Sequence, residues 1–469
     1  MLFNTFNFWL IFPFIFIFYW LIPSKLNSIK KAFLILVSYL LYANYNAAYT
    51  LVLFYITVVT YGSGIITEKN INKKALFITI AALLTLGPLL VFKYYNFIIT
   101  NCNELLSVLG LKFNLAGLNW AIPLGISFFT FQAIGYLWDV YYKKINAEKS
   151  FVDYLLFVSF FPQIASGPIS KASELLPQIK QHHPFNYSQA VQGLKLLLWG
   201  MFLKVVVADR LGLYVDTVYN NYEHHSGMTY FVASVFYSIQ IYGDFAGYSL
   251  MAIGIAKTLG FDLINNFQRP YFSISVTDFW RRWHISLSRW LKDYVYIPLG
   301  GSRCSKLKNY WNILITFLVS GIWHGANWTF IVWGILHGIF QIIEKALGLQ
   351  KYTGHNCWIK SARILVTFLL VNFAWIFFRM PSLNAACEVV LKIFTDFGGN
   401  IYKTSNTNIL LYFIGIFILL FKDVKDEFLT NRLAFLNRTT IKWIFYLILF
   451  AMIIGIGVLD SGQFIYANF

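Results

Sequence analysis

Apolar residues come in long blocks along this chain, separated by short cationic clusters. The first block, "FWLIFPFIFIFYWLIP" (8–23), is followed by Lys25, Lys30 and Lys31. No Lys or Arg precedes it and no small-residue cleavage site follows, so it predicts a retained spanning helix and not a cleaved signal. The positive-inside rule then makes the N-terminus extracytoplasmic and the lysine cluster cytoplasmic. The next block, Ala32 to Ile66, is too long for a single span of about 20 residues. "ANYNAAY" (43–49) divides it into a hairpin that returns to the lysine-rich "EKNINKK" (68–74).

Residues 75–97 read as a span, 98–119 as an external connection and 120–141 as a return, ending at Lys143, Lys144 and Lys149. The stretch "FVSFFPQIASGPISKASELLPQIK" (157–180) is different. Its apolar part is short and is interrupted by Pro162, Gly167 and Pro168. Backbone freed by such breaks must find partners inside the protein, because lipid offers none. That predicts a re-entrant segment. Further spans are expected at 190–208, 229–260 (with room for a break), 311–346, 362–380, 408–421 and 441–459, about eleven in all. The pattern is that of an all-α, polytopic membrane protein forming one domain over 1–469.

Composition agrees. Of 469 residues 58% are hydrophobic, 20% aromatic and 12% charged, about half the charged share of a soluble protein. The net charge of +17 points, in this setting, to cytoplasmic loops and anionic lipid and not to nucleic acid. The four cysteines, Cys102, Cys304, Cys357 and Cys387, suggest neither a disulfide framework nor a metal site.

One segment breaks the apolar pattern. "ISVTDFWRRWHISLSRWLKDYVYIPL" (274–299) reads as an amphipathic helix. Asp278, Arg282, Arg289, Lys292 and Asp293 share one face, and Phe279, Trp283, Trp290 and Tyr294 another. It predicts either a membrane-surface helix or the wall of a polar cavity.

Five of the eight histidines, His182, His183, His224, His225 and His355, stand in polar, loop-like contexts without carboxylate or cysteine companions, and no metal is expected there. His284, His324 and His337 are embedded in apolar sequence. An ionisable group at membrane depth is a functional candidate by default. Residues 311–346 would form a helix of about 54 Å, so the segment must break, and "HGAN" (324–327) is the place. His324 then stands at a helix break. On an unbroken helix His337 would lie about 220° around and about 20 Å along from it, which suits a structural hydrogen bond between helices. His284 can reach the same cavity as His324. No GxSxG, Walker or HExxH pattern is present. A histidine with a near-neutral pKa can take a proton from an alcohol as the hydroxyl attacks a thioester, so the residues define a membrane-embedded acid–base site.

"DFWRRWHISLSRWLKDYVYIPLGGSR" (278–303) followed by "SGIWHGANWTFIVWGILHG" (320–338) resembles the membrane-bound O-acyltransferase (MBOAT) family, in particular its bacterial alginate and polysaccharide O-acetylation branch. Supporting stretches are "PLGISFFTFQAIGYLWDVYY" (123–142), "FFPQIASGPI" (160–169) and "YGDFAGYSLMAIGIAKTLGF" (242–261). The resemblance covers most of 1–380 and is strongest over 120–345; residues beyond it contribute apolar spans and little else. It implies a ring of tilted helices with re-entrant or interfacial helices around a central tunnel, in the inner (cytoplasmic) membrane. It implies His324 as general base and His284 as a second important histidine lining the tunnel. Trp283, Arg282, Asp278, Asp244 and Asn327 become tunnel candidates, with a buried Asp244–Arg282 ion pair as the plainer reading of those two. It implies no tightly bound cofactor, an acyl thioester (acetyl-CoA or an acyl carrier) as co-substrate on the cytoplasmic side, and a polysaccharide hydroxyl as acceptor. A separate extracytoplasmic SGNH-type partner would complete transfer in exopolysaccharide biosynthesis. D-alanyl transfer to teichoic acid is the alternative chemistry. A lipid or glycan transporter, or a non-catalytic scaffold, is the alternative of another class, although no inverted repeat of the transporter kind is visible.

Overall fold

The computed structural model describes residues 3–111, 113–352, 354, 356–429, 432–433, 435, 438–459 and 465. Among these there is no strand. The His355 of the loop set lies outside them. The chain divides into two compact units. Of the described residues, one comprises those in 3–193 and 252–264; the other comprises those in 194–251 and 265–465.

The first unit contains α1 (Phe6–Leu21), α2 (Asn27–Tyr45), α3 (Tyr49–Lys69), α4 (Lys74–Leu89), α5 (Tyr95–Val108), α6 (Ile126–Tyr141), α7 (Phe151–Ser159), α8 (Phe161–Ile164) and α9 (Ala172–Lys180). The expected hairpin forms at 46–48, where the Ala48 amide donates to Asn46 Oδ1. Past Pro88, α4 widens into a π turn, Leu90–Tyr94, and continues as α5 to Val108. The connection expected at 98–119 is therefore helical for its first half. The π turn tolerates the hydrogen bond that proline removes. α6 is buried on nearly every face. The broken segment 157–180 behaves as anticipated: its freed backbone is satisfied by protein side chains. Gln132 Nε2 and Gln163 Nε2 both donate to the Phe157 carbonyl, at 2.6 and 3.2 Å, and the Phe161 amide donates to Ser38 Oγ.

The chain passes through α10 (Tyr187–Met201) into the second unit, which holds α11 (Asp209–Tyr219) and most of α12 (Gly227–Thr258). It also holds α13 (Val276–Arg282), α14 (Ile285–Leu291), α15 (Lys306–His324), α16 (Trp328–Ala346), α17 (Cys357–Arg379), α18 (Leu383–Thr395), α19 (Asn406–Phe428) and α20 (Thr439–Ile456). α10 and α11 are joined by a π turn over Phe202–Ala208, so the expected span at 190–208 runs on to Tyr219. α12 is unbroken.

Among the described residues six helical stretches are long and apolar enough to cross a membrane: 49–69, 74–108, 187–219, 357–379, 406–428 and 439–456. The protein is thus a polytopic, all-helical membrane protein. Part of the difference from the expected eleven has identifiable sources; α2 and α12 are also absent from the six. α1 is apolar but has 16 residues. α6 is as short. α15 and α16 carry Lys306, Lys308, Glu344 and Lys345 at their outer ends.

The amphipathic helix expected over 274–299 is a correction. It is three pieces, α13, α14 and a π turn at Lys292–Tyr296, separated at Trp283 and His284. His284 adopts a left-handed backbone, φ 43° and ψ 55°, which an α-helix does not tolerate. Phe279, Trp283, Trp290 and Tyr294 are all buried, so this face of the segment packs within the second unit.

Candidate active site

α15 ends where the sequence says it should. Gly325 turns extended, at φ −170° and ψ 156°, and Asn327 caps α16 through Oδ1, which accepts the Thr329 amide at 3.0 Å. The same side chain donates from Nδ2 to the Pro381 carbonyl at 2.8 Å, fixing the turn to the chain that follows α17. Gly325 is required by close approach: a Cβ there would stand 2.2 Å from the Phe330 ring. His324, the last residue of α15, is held inside this turn at 2% exposure. Its ring lies 4.9 Å from Trp323, 4.9 Å from Trp333 and 5.2 Å from Phe378.

His284 reaches the same cluster from a different kind of break. Residues 266–268 run alongside it. The Gln268 amide donates to the Arg282 carbonyl at 2.9 Å, and the Ile285 amide to the Asn266 carbonyl at 3.0 Å. The Ser286 amide donates to Asn266 Oδ1 at 3.1 Å. Asn266 therefore grips both residues after the histidine. The His284 ring is fully buried, 4.6 Å from Phe245 and 5.8 Å from Trp323. Trp323 packs against both imidazoles, so the structure does bring the two histidines together.

His337 makes the interhelical bond expected of it: Trp280 Nε1 of α13 donates to its Nδ1 at 3.2 Å. Folding α15 back on α16 also places it nearer His324 than a straight helix would allow. Trp333 touches both rings, each at 4.9 Å.

The other candidates separate. Trp283 is buried with Trp375, Phe267 and Phe279 around it, at 5.1, 5.0 and 5.4 Å. Asp244 and Arg282 do not pair, which corrects the plainer reading of both. Asp244 accepts from Lys204 Nζ at 2.5 Å, and the same ammonium reaches Asp209 at 2.6 Å. Asp244 Oδ2 also accepts the Ile465 amide at 2.9 Å. This is an internal charge cluster whose neighbour in sequence, Phe245, packs on His284. Arg282 bonds Asp278 Oδ1 at 3.0 Å and Glu427 Oε1 at 2.9 Å.

Glu427 was not legible as a site residue, because it stands in a charged run, Lys422, Asp423, Lys425 and Asp426, that reads as a solvated helix end. Its second oxygen accepts Arg269 Nε at 2.7 Å. Arg269 and Arg282 bound the segment that ends at His284, so one carboxylate of α19 ties both ends of it. Two residues of that helix reinforce the grip: Tyr242 Oη donates to Asp423 Oδ2 at 3.0 Å, and Phe428 packs on Phe272. The region beyond 380 thus contributes more than apolar spans.

A cavity of about 450 Å³ opens beside α13 and α14. Its wall includes Arg281, Arg289, Lys292 and Lys345, with Trp280 and Ile285 on its inner side. Ile285 directly follows His284, and Trp280 carries the bond to His337. Neither His284 nor His324 lines this cavity. The loop histidines are occupied elsewhere: His182 Nδ1 lies 2.8 Å from the Ser24 carbonyl and His183 Nε2 2.7 Å from that of Gln178.

A polytopic helical protein with two buried imidazoles against one indole, next to a cationic cavity, fits the class of membrane-embedded enzymes. Comparison with known sequences makes the class specific. The profile of the MBOAT, membrane-bound O-acyltransferase, family matches residues 142–390, and the chain belongs to that family. It is an acyltransferase. It is 37% identical over 396 residues to the peptidoglycan O-acetyltransferase of Helicobacter pylori, covering 78% of this chain and 74% of that one. It is 35% identical over 370 residues to the probable alginate O-acetylase AlgI of Pseudomonas aeruginosa, covering 78% and 70%. The teichoic acid D-alanyltransferase of Bacillus subtilis is 27% identical over 268 residues, covering 54% and 68%.

Proposed function

We propose that this enzyme takes an acetyl group from a thioester on the cytoplasmic side and delivers it toward hydroxyls of an extracytoplasmic polysaccharide. The observation that carries the reading is that the His324 and His284 rings both lie against Trp323, at 4.9 and 5.8 Å, each at a helix break. His324 is the general base. It takes the proton as the acceptor oxygen attacks the thioester carbonyl, the C–S bond breaks, and the thiolate leaves with a proton returned from the imidazolium. His284 orients the donor or the acceptor. Both rings are sealed in the observed packing, so turnover requires a displacement of the surrounding side chains; Ile285 and Trp323 are the ones placed to move.

The cationic cavity supports a donor that carries phosphate, as acetyl-CoA and the phosphopantetheine arm of a carrier protein both do. Arg281, Arg289, Lys292 and Lys345 suit that charge. The lysine clusters at 25–31 and 68–74 support an extracytoplasmic N-terminus in the inner membrane; residues 1 and 2 lie outside the described set. The acceptor is a polysaccharide in an exopolysaccharide pathway, reached through a separate SGNH-type partner. Peptidoglycan is a second acceptor of the same chemistry, favoured by the similarity to the Helicobacter pylori protein. D-alanyl transfer is less well supported, since the relative with that activity shares less of its sequence.

The test is the ester-linked acetate on cell-surface glycan and on peptidoglycan, measured separately. A strain lacking the gene should lose acetate from one of them, and His324→Ala should reproduce the loss by about 10³-fold in rate. His284→Ala should fall less, about 10²-fold. Full acetylation with His324→Ala, in protein present at wild-type level, removes the enzymatic reading.

A further inference from the structure

A second cavity, of about 460 Å³, lies on the other side of the C-terminal half of α16 and is distinct from the cationic one. Phe340 and Ile343 of α16, Val366 and Leu370 of α17, and Ile274 and Val276 at the start of α13 form its walls. Ile343, Ile359 and Val366 are 50%, 46% and 56% exposed. α17 is one of the spanning helices, so what these side chains face is lipid.

The rim is not apolar. Arg363 stands about 9 Å from the start of α17, near the depth where a spanning helix meets lipid headgroups. Its Nε donates to the Ile274 carbonyl at 3.1 Å and its Nη2 to that of Leu349. The Tyr352 ring lies 4.8 Å from the guanidinium. Among the described residues no carboxylate neutralises Arg363. The nearest acid in the crevice, Glu344, is fully engaged: its oxygens accept the Val276 amide at 2.7 Å, the Thr277 amide at 3.0 Å and Thr277 Oγ1 at 2.7 Å, capping α13. The Tyr352 hydroxyl is buried and makes no hydrogen bond among the described residues. An apolar slot open to lipid thus ends in an uncompensated guanidinium, with the Tyr352 ring beside it.

We propose that this crevice holds one anionic phospholipid, with an acyl chain between α16 and α17 and the headgroup phosphate on Arg363. Basic groups between spanning helices bind acidic headgroups in this manner. A guanidinium already committed to two carbonyls retains N–H groups for a phosphate, and the charge-assisted bond is stronger than a neutral one. The chain packs on Ile274 and Val276 at the start of α13, so the lipid stabilises the helix that leads to His284. The inference does not depend on the acceptor or donor proposed above.

The experiment uses the full chain purified in detergent and follows its thermal midpoint against added phosphatidylglycerol, phosphatidylcholine or inorganic phosphate. Phosphatidylglycerol should raise the midpoint saturably, with little response to phosphatidylcholine and none to inorganic phosphate. Arg363→Gln should weaken the phosphatidylglycerol response about tenfold in half-maximal concentration, the size of one lost charge-assisted bond. Val366→Trp keeps the guanidinium, fills the slot and should abolish the response; it decides the matter if Arg363→Gln does not fold. Leu447→Trp, on the exposed face of α20, should respond as wild type. Equal responses to the two lipids, a full response in either crevice variant, or a shift produced by inorganic phosphate alone would each overturn the proposal.

Discussion

The two histidines stand at helix breaks built on opposite principles. At 324–328 the break is local. Gly325 admits the Phe330 ring, and Asn327 caps the next helix within two residues. At 283–285 the break is imposed from outside. His284 takes a left-handed backbone that a histidine does not choose on its own. It stays there because Asn266 holds the residues after it and Glu427, from a helix far along the chain, holds the arginines around it. One imidazole is fixed by its own neighbourhood and the other by a clamp assembled from three separate segments. Two imidazoles packed on one indole can therefore be positioned by different means, one by its local turn and the other by tertiary contacts.

The sharpest way to break this comparison is to remove each imidazole, and the acetate measurements above rank the two. The next largest effect is expected at the local break. Gly325→Ala drives a methyl into the Phe330 ring, and overpacking of this kind costs about 1–3 kcal/mol. Because the strain falls on the turn carrying His324, acetylation should drop together with the thermal midpoint. A variant with wild-type midpoint and activity would show that the turn is not tight.

The clamp should respond differently. Glu427→Gln keeps the shape of the side chain and loses the charge shared by Arg269 and Arg282. Activity should fall about tenfold, the size of a lost charge-assisted contact, with kcat affected more than the KM for the donor. Glu427→Asp should recover part of the loss. If Glu427→Gln lowers only protein level, the residue is structural and the contrast between the breaks fails. The smallest effect is expected for Asn327→Ala. Removing an N-cap costs about 1 kcal/mol, which thermal denaturation of the purified protein should detect while most activity remains.

Legibility followed the same division. The His324 break could be read because both of its causes, a helix too long for the membrane and a Gly–Asn punctuation, lie within a few residues of the histidine. The gap at 157–180 could be read because prolines mark it and because lipid cannot satisfy open backbone. The helix expected over 274–299 was wrong at its centre. Its periodicity is real on both sides of His284, and the partner that interrupts it, Asn266, is eighteen residues upstream in a stretch with no signal of its own. Glu427 was missed for the same reason. One acidic residue among several at the charged end of a helix is indistinguishable from a solvated cap until its two arginines are seen.

By itself, then, the sequence determined that this is a helical membrane enzyme and that His324 stands at a break. Those properties follow from apolar length, charge placement and turn chemistry, which act over a few residues. Only the tertiary structure decided that His284 shares Trp323 with His324, that Asp244 pairs with Lys204 and not Arg282, and that α19 holds the second histidine in place. Such pairings depend on which distant side chains arrive at one point, and no local period along the chain encodes that.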